Sequence, residues 1–165
     1  MADTLTSTSV TVDRPLGGVP FGNLTVLPFI ATFLEGVWTL SDDATAVVHT
    51  DTLVLGKIPK GFKILAAEIS VNAALGDTNS TLTIGWEYVD GVDVAAPNAE
   101  DADYFTAAQA NTAAFSIRDN NLATKPVTLP KDAYLTVLVN TAAFLTTGSL
   151  TGDLIINVFG IADQA

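Results

Sequence analysis

From Leu24 onward, apolar and polar residues alternate mostly with a period of two, which predicts strands rather than helices. Leu24 to Leu34 is apolar and β-branched and stops at Glu35-Gly36. Thr45 to Gly56 carries Val47, Val48, Leu53, Val54 and Leu55 and is long enough to bend midway. Pro59-Lys60-Gly61 then turns the chain. Lys63 to Ala74 puts Leu65, Ala67, Ile69, Val71 and Ala73 on one face and Glu68, Ser70 and Asn72 on the other. After the turn Gly76-Asp77-Thr78-Asn79, the strand Ser80 to Val89 sets Leu82, Ile84, Trp86 and Tyr88 against Thr81, Thr83 and Glu87.

The period breaks at Asp90 to Asn98, a loop with Gly91 and Pro97. Asp101 to Thr112 opens with acids and continues with Tyr104, Phe105, Ala107, Ala108 and Ala110. Acids complement the positive end of a helix dipole and alanine favours helix, so a short helix is expected there, its Tyr-Phe pair plugging one end of the fold. Strand character returns at Ala114 to Ile117 and at Val127 to Leu129. It returns again at Tyr134 to Ala143, where Leu135, Val137 and Val139 share a face. The last strand is Leu150 to Ile161, with Leu150, Leu154, Ile156 and Val158 in phase.

Strands with one buried face each, joined by short turns, make two packed sheets. The reading is all-β: a jelly-roll-like two-sheet β-sandwich of about eight strands with one short helical insert. An immunoglobulin-like sandwich fits less well, given the insert and the lack of a Cys-Trp-Cys pattern. Residues 1–23 differ from the rest. They hold Pro15, Gly17, Gly18, Pro20 and Gly22, and read as an extended N-terminal arm before a sandwich domain spanning 24–165. Leu16, Val19 and Phe21 give that arm apolar residues that a solvated tail does not need, which makes them candidate partner contacts.

Composition narrows the function. The 165 residues are 48% hydrophobic and 15% charged, so the chain can bury a core and has fewer surface charges than most soluble domains. A net charge of −11 with seven Lys and Arg leaves no basic stripe for nucleic acid or for an anionic membrane. With no cysteine there is no disulfide framework or thiolate chemistry. Met1 to Asp13 lacks the basic and apolar regions of a secretory signal. The uncharged stretch Ala133 to Gly152 is interrupted by Thr136, Asn140, Thr141, Thr146, Thr147, Gly148 and Ser149. It reads as two strands and a turn rather than a membrane span.

Candidate chemistry is sparse. His49 is the one histidine, and in a regular strand Asp51 would share its face. With no nucleophile motif, a structural or surface histidine is the better reading. Asp42-Asp43 and Glu100-Asp101-Asp103 are the densest carboxylates, without a calcium-loop spacing; a strand end and a helix cap account for them. Trp86 and Tyr88 are in phase with Leu82 and Ile84 and so belong to the core, whereas Trp38, beside Gly36, is the candidate exposed ring of a sugar platform. No cofactor or metal is called for.

One ordered pattern carries a resemblance. Leu55-Gly56-Lys57-Ile58-Pro59-Lys60-Gly61-Phe62-Lys63-Ile64-Leu65 is followed by Ile69-Ser70-Val71 and Ser80-Thr81-Leu82-Thr83-Ile84-Gly85. Asp103-Tyr104-Phe105, Tyr134-Leu135-Thr136-Val137 and Thr147-Gly148-Ser149-Leu150-Thr151-Gly152 complete it. Over roughly residues 53–160 the chain resembles small structural proteins of tailed-bacteriophage virions, especially head decoration or cement proteins with a jelly-roll fold. The resemblance implies a non-enzymatic component of the capsid surface, made in the cytoplasm of the host bacterium. It also implies contact with the major capsid protein and a homo-oligomer, a trimer above other states. A phage tail or fibre module, or a carbohydrate-binding sandwich, is the alternative.

Overall fold

A computed structural model describes residues 4–6, 24–39, 45–119, 126–144 and 151–162. Their strands are β1 (Thr4–Thr6), β2 (Leu24–Leu34), β3 (Val37–Trp38), β4 (Thr52–Ile58), β5 (Phe62–Val71), β6 (Thr81–Tyr88), β7 (Asp101–Ala110), β8 (Phe115–Arg118), β9 (Val127–Thr128), β10 (Ala133–Asn140) and β11 (Thr151–Ala162). They form a five-stranded sheet, β1-β4-β10-β6-β7, and a six-stranded sheet, β3-β2-β11-β5-β8, with β9 also paired to β5. Set aside the two- and three-residue strands and number the rest in chain order. One sheet then reads first-eighth-third-sixth and the other second-seventh-fourth-fifth. Two interlocked Greek keys of this order are a jelly roll.

The alternation seen in the sequence is the alternation of burial. Leu82, Ile84, Trp86 and Tyr88 of β6 and Leu135, Val137 and Val139 of β10 are buried, and the two strands pair in an unbroken antiparallel register. Leu154, Ile156 and Val158 of β11 face them from the other sheet, with Phe29, Ala31 and Phe33 of β2 and Ile64, Ala67, Ile69 and Val71 of β5. The hairpin between β2 and β3 turns through Glu35 (φ 50°) and Gly36 (φ 77°). Positive φ at both central residues matches the right-handed twist of the flanking strands, which is why a two-residue loop suffices here.

Three expectations fail. The helical insert is absent: Asp101–Ala110 is β7, antiparallel to β6. Alanine's helix propensity is worth a few tenths of a kcal/mol per residue, and a helix of this length is marginal alone, so a sheet edge in need of a partner outweighs it. The ladder is also irregular. Ile84 pairs with Thr106 but Trp86 pairs with Asp101, so β7 bulges between them. The bulge lets Tyr104, Phe105 and Thr106 all be buried in succession, which erases the period of two. It lays backbone over Gly85, where a Cβ would stand 2.0 Å from the Asp101 carbonyl oxygen; only glycine fits. Second, Leu65 is exposed rather than internal, because a bulge opposite Phe159 and Gly160 shifts β5 by one residue and gives the core position to Ile64. Third, residues 45–50 are not strand; β4 begins at Thr52.

Candidate interaction surface

The residues that could have carried chemistry serve the fold. His49 is exposed in a turn whose next residue, Thr50, has φ 74°. Asp51 is buried and directed inward, and the Val48 N–H donates to its Oδ2 at 2.8 Å. The carboxylate thus pins the turn. Glu100 and Asp101 act on β6 and β7: the Tyr88 N–H donates to Glu100 Oε1 at 2.7 Å, and the Asp103 N–H to Asp101 Oδ1 at 3.2 Å. Among the described residues no group of three His, Asp or Glu is placed to hold a metal. Asp42-Asp43 and the arm residues Leu16, Val19 and Phe21 lie outside the described residues.

Trp38 does not offer a sugar platform. It is 1% exposed and packs 6.5 Å from Phe33, centroid to centroid. The hairpin that carries it folds it back under β2, a consequence of the tight turn that a two-residue strand hides from pattern reading. Trp86 and Tyr88 lie in the core, as their phase with Leu82 and Ile84 requires, with rings 5.1 Å apart and nearly perpendicular.

What the molecule does expose is an apolar sheet face. Of the outward residues of β2, Leu24 is 60% and Ile30 57% exposed, and Val26 and Leu34 are exposed as well. The register continues the patch onto β11, where Ile161 stands opposite Leu24, Phe159 opposite Val26 and Ile155 opposite Ile30. Pro28, opposite Asn157, lies between them; proline belongs on edge strands, and it also discourages another strand from adding there. Of the four cross-strand pairs from Leu24 to Ile30 on the side turned away from the core, three are therefore apolar in both members. A cluster of this kind marks an interaction site more often than a solvated face.

Polar groups frame the patch. Asp153 accepts from Thr32 Oγ1 and from Asn72 Nδ2, each at 2.7 Å, and its own N–H donates to Asn72 Oδ1 at 2.7 Å. This network ties β2, β11 and β5 together at one end. Toward β8 the outer face becomes charged, with Glu68 opposite Arg118. The sequence signal for the patch is that β2 is apolar in both phases, unlike β6 with its Thr and Glu alternates.

The carboxylates fall into two electrostatic groups. Burial, with Glu100 beside it, raises the Glu87 pKa; burial and a hydrogen bond with Asp103 raise Asp101; burial raises Asp119. Asp90, hydrogen-bonded to Lys131, and Asp132, hydrogen-bonded to Lys57, are lowered, with ion-pair distances of 2.9 and 2.7 Å. A raised carboxyl holds its proton better folded than unfolded. Its contribution is complete below the ordinary carboxylate pKa and is lost as pH rises through the folded value. A lowered one contributes above the ordinary value and is lost as pH falls through the folded one. As pH falls from neutrality, the raised carboxyls take up protons before the lowered ones do. Thermal stability is therefore expected to rise on mild acidification and to turn over at lower pH, with a smaller rise in Glu87→Gln. Melting curves that fall steadily from neutrality would contradict this.

No family model and no curated protein sequence matches the chain. Solved structures do. A chain from the capsid of Ralstonia phage GP4 is similar over 98% of this chain and 99% of its own, with TM-score 0.68 and 18% identity. A chain from the capsid asymmetric unit of cyanophage Pam1 is similar over 95% of this chain and 98% of its own, with TM-score 0.56 and 18% identity. At such identities the likeness is one of fold, and it extends over the whole length on both sides: a jelly-roll β-sandwich of one size and one architecture, found also in the capsids of two phages.

Proposed function

We propose that this protein is a non-enzymatic structural component of a tailed-phage virion. In this reading it is a decoration or cement protein that binds the outside of the head and stabilises it through contacts with the major capsid protein and with other copies of itself, as a trimer. The observation that carries the reading is the end-to-end fold likeness to a chain of a phage capsid. The apolar face of β2 and β11 supports it, since a cement protein must present a desolvatable surface to its support. The arm, residues 1–23, adds Leu16, Val19 and Phe21 as a second set of contacts. The carbohydrate-binding alternative loses its aromatic platform with the burial of Trp38.

Quantitative mass spectrometry of purified virions tests the assignment. A copy number comparable with that of the major capsid protein is expected. A handful of copies would move the chain to the tail or portal vertex, and its absence from particles would overturn the virion reading.

A further inference from the structure

Strand β1 sits at the edge of the five-stranded sheet and pairs in parallel with β4, Thr4 with Thr52, Leu5 with Leu53 and Thr6 with Val54. It stands apart from the jelly roll itself, whose eight strands are complete without it. A parallel neighbour three residues long adds few hydrogen bonds, and parallel pairing is slightly weaker per residue than antiparallel. The edge it covers nevertheless requires an occupant. Leu53 and Val54 are both buried, so the backbone between them is poorly placed to exchange a strand partner for water.

The next described strand after β1, β2, belongs to the other sheet, and the seventeen residues 7–23 separate the two. Fully extended, a segment of that length reaches at most about 60 Å, well beyond the width of a small domain. It contains Pro15, Gly17, Gly18, Pro20 and Gly22, residues that set turns and break regular structure. A second copy of the chain offers β4 the same three residues in the same register. Exchange of β1 between copies therefore keeps every ladder contact and alters only the connection, which is the condition under which strand swapping costs little.

We propose that in the assembled protein Thr4–Thr6 pairs with β4 of a neighbouring copy, so that each five-stranded sheet is completed in trans. The inference rests on the reading that the chain assembles with itself. Copies held side by side raise the effective concentration of the neighbour's strand and favour exchange, and the exchanged strands then link the copies mechanically.

The chain has no cysteine, which allows a clean test. Thr4→Cys on an affinity-tagged chain and Thr52→Cys on an untagged chain are co-expressed, purified and treated with a short bis-maleimide. Thr4→Cys paired with Ala107→Cys, on β7 at the opposite edge of the same sheet, is the control. The expected result is a several-fold excess of tagged–untagged covalent dimer over the control. The proposal is overturned if the mixture gives control levels, whether the Thr4→Cys/Thr52→Cys double variant links within one chain or fails to link at all. Light scattering on the same samples reports the oligomeric state independently. Oligomers without cross-chain linkage would remove strand exchange and leave self-assembly standing, whereas monomers throughout would remove both.

Discussion

Replacing Trp86 with alanine is expected to cost about 3–5 kcal/mol of folding stability, the range for truncating a large buried aromatic. The whole fold is worth only about 5–15 kcal/mol, so the variant should melt about 10 °C lower or more, or accumulate as aggregate. Three observations put Trp86 at the high end. It is 1% exposed. Its ring meets Tyr88 at 5.1 Å and Tyr104 at 6.3 Å, both edge-on, and Tyr104 meets Phe105 at 5.1 Å in the same way. The cluster also bridges β6 to the bulged part of β7, where pairing is weakest. The cavity left by alanine would therefore open where little backbone structure resists its spread.

The indole Nε1 adds a discriminating control. It is buried and has no hydrogen-bond partner among the described residues, a burden of about 1–3 kcal/mol. Trp86→Phe removes that donor while retaining most of the ring, so it should lie within about 1 kcal/mol of the parent. Equilibrium unfolding in denaturant measures both variants, with Trp38 as the remaining fluorophore. Equal losses in the two variants would show that the packing account is wrong.

Where the backbone is regular, the sequence displays it. The ladder between β6 and β10 has no register shift, and their inward apolar residues follow from period alone. Where the backbone departs from regularity, local pattern misleads. Leu65 has the right spacing for the core but is the extra residue of a bulge. Tyr104, Phe105 and Thr106 are consecutive and all internal, and the alanines after them favour helix on propensity grounds. The deciding fact is tertiary: β6 needs a partner on its far side, and no window of ten residues contains that fact. The jelly-roll reading survives because its count takes in β9, a two-residue strand, while omitting β7.

The interaction surface was half legible. Leu24 to Leu34 reads as apolar throughout, but a strand apolar in both phases looks the same whether its second face meets a helix layer, another sheet or solvent. Only the sheet order decides. It leaves the outer face of β2 and β11 uncovered by any other described strand. Nor could the period of two reveal that Trp38 turns inward, since a hairpin through two residues of positive φ sets its direction.

That uncovered face yields the second large effect. Under the proposed function, Ile30→Asp combined with Leu24→Asp should weaken attachment to capsids assembled without this chain by about tenfold or more, while the isolated domain melts as before. The two side chains are the most exposed large apolar groups on β2, so exchanging them for carboxylates removes little from the core; surface changes of this kind usually stay within about 0.5 kcal/mol. At an interface the same change has a different weight. Each apolar side chain withdrawn from water contributes about 1.5–3 kcal/mol, and each new carboxylate must be desolvated without a partner. The molecule's net charge of −11 compounds this, because copies or partners brought together through an uncharged patch would now meet added negative charge. Ser116→Asp, on exposed β8 of the same sheet but outside the apolar pairs, controls for charge alone and should bind nearly as the parent does. Sedimentation of capsids with bound and free chain measures all three. If the double variant binds like Ser116→Asp, the outer face of β2 and β11 is not the attachment surface, and the arm residues Leu16, Val19 and Phe21 become the next to test.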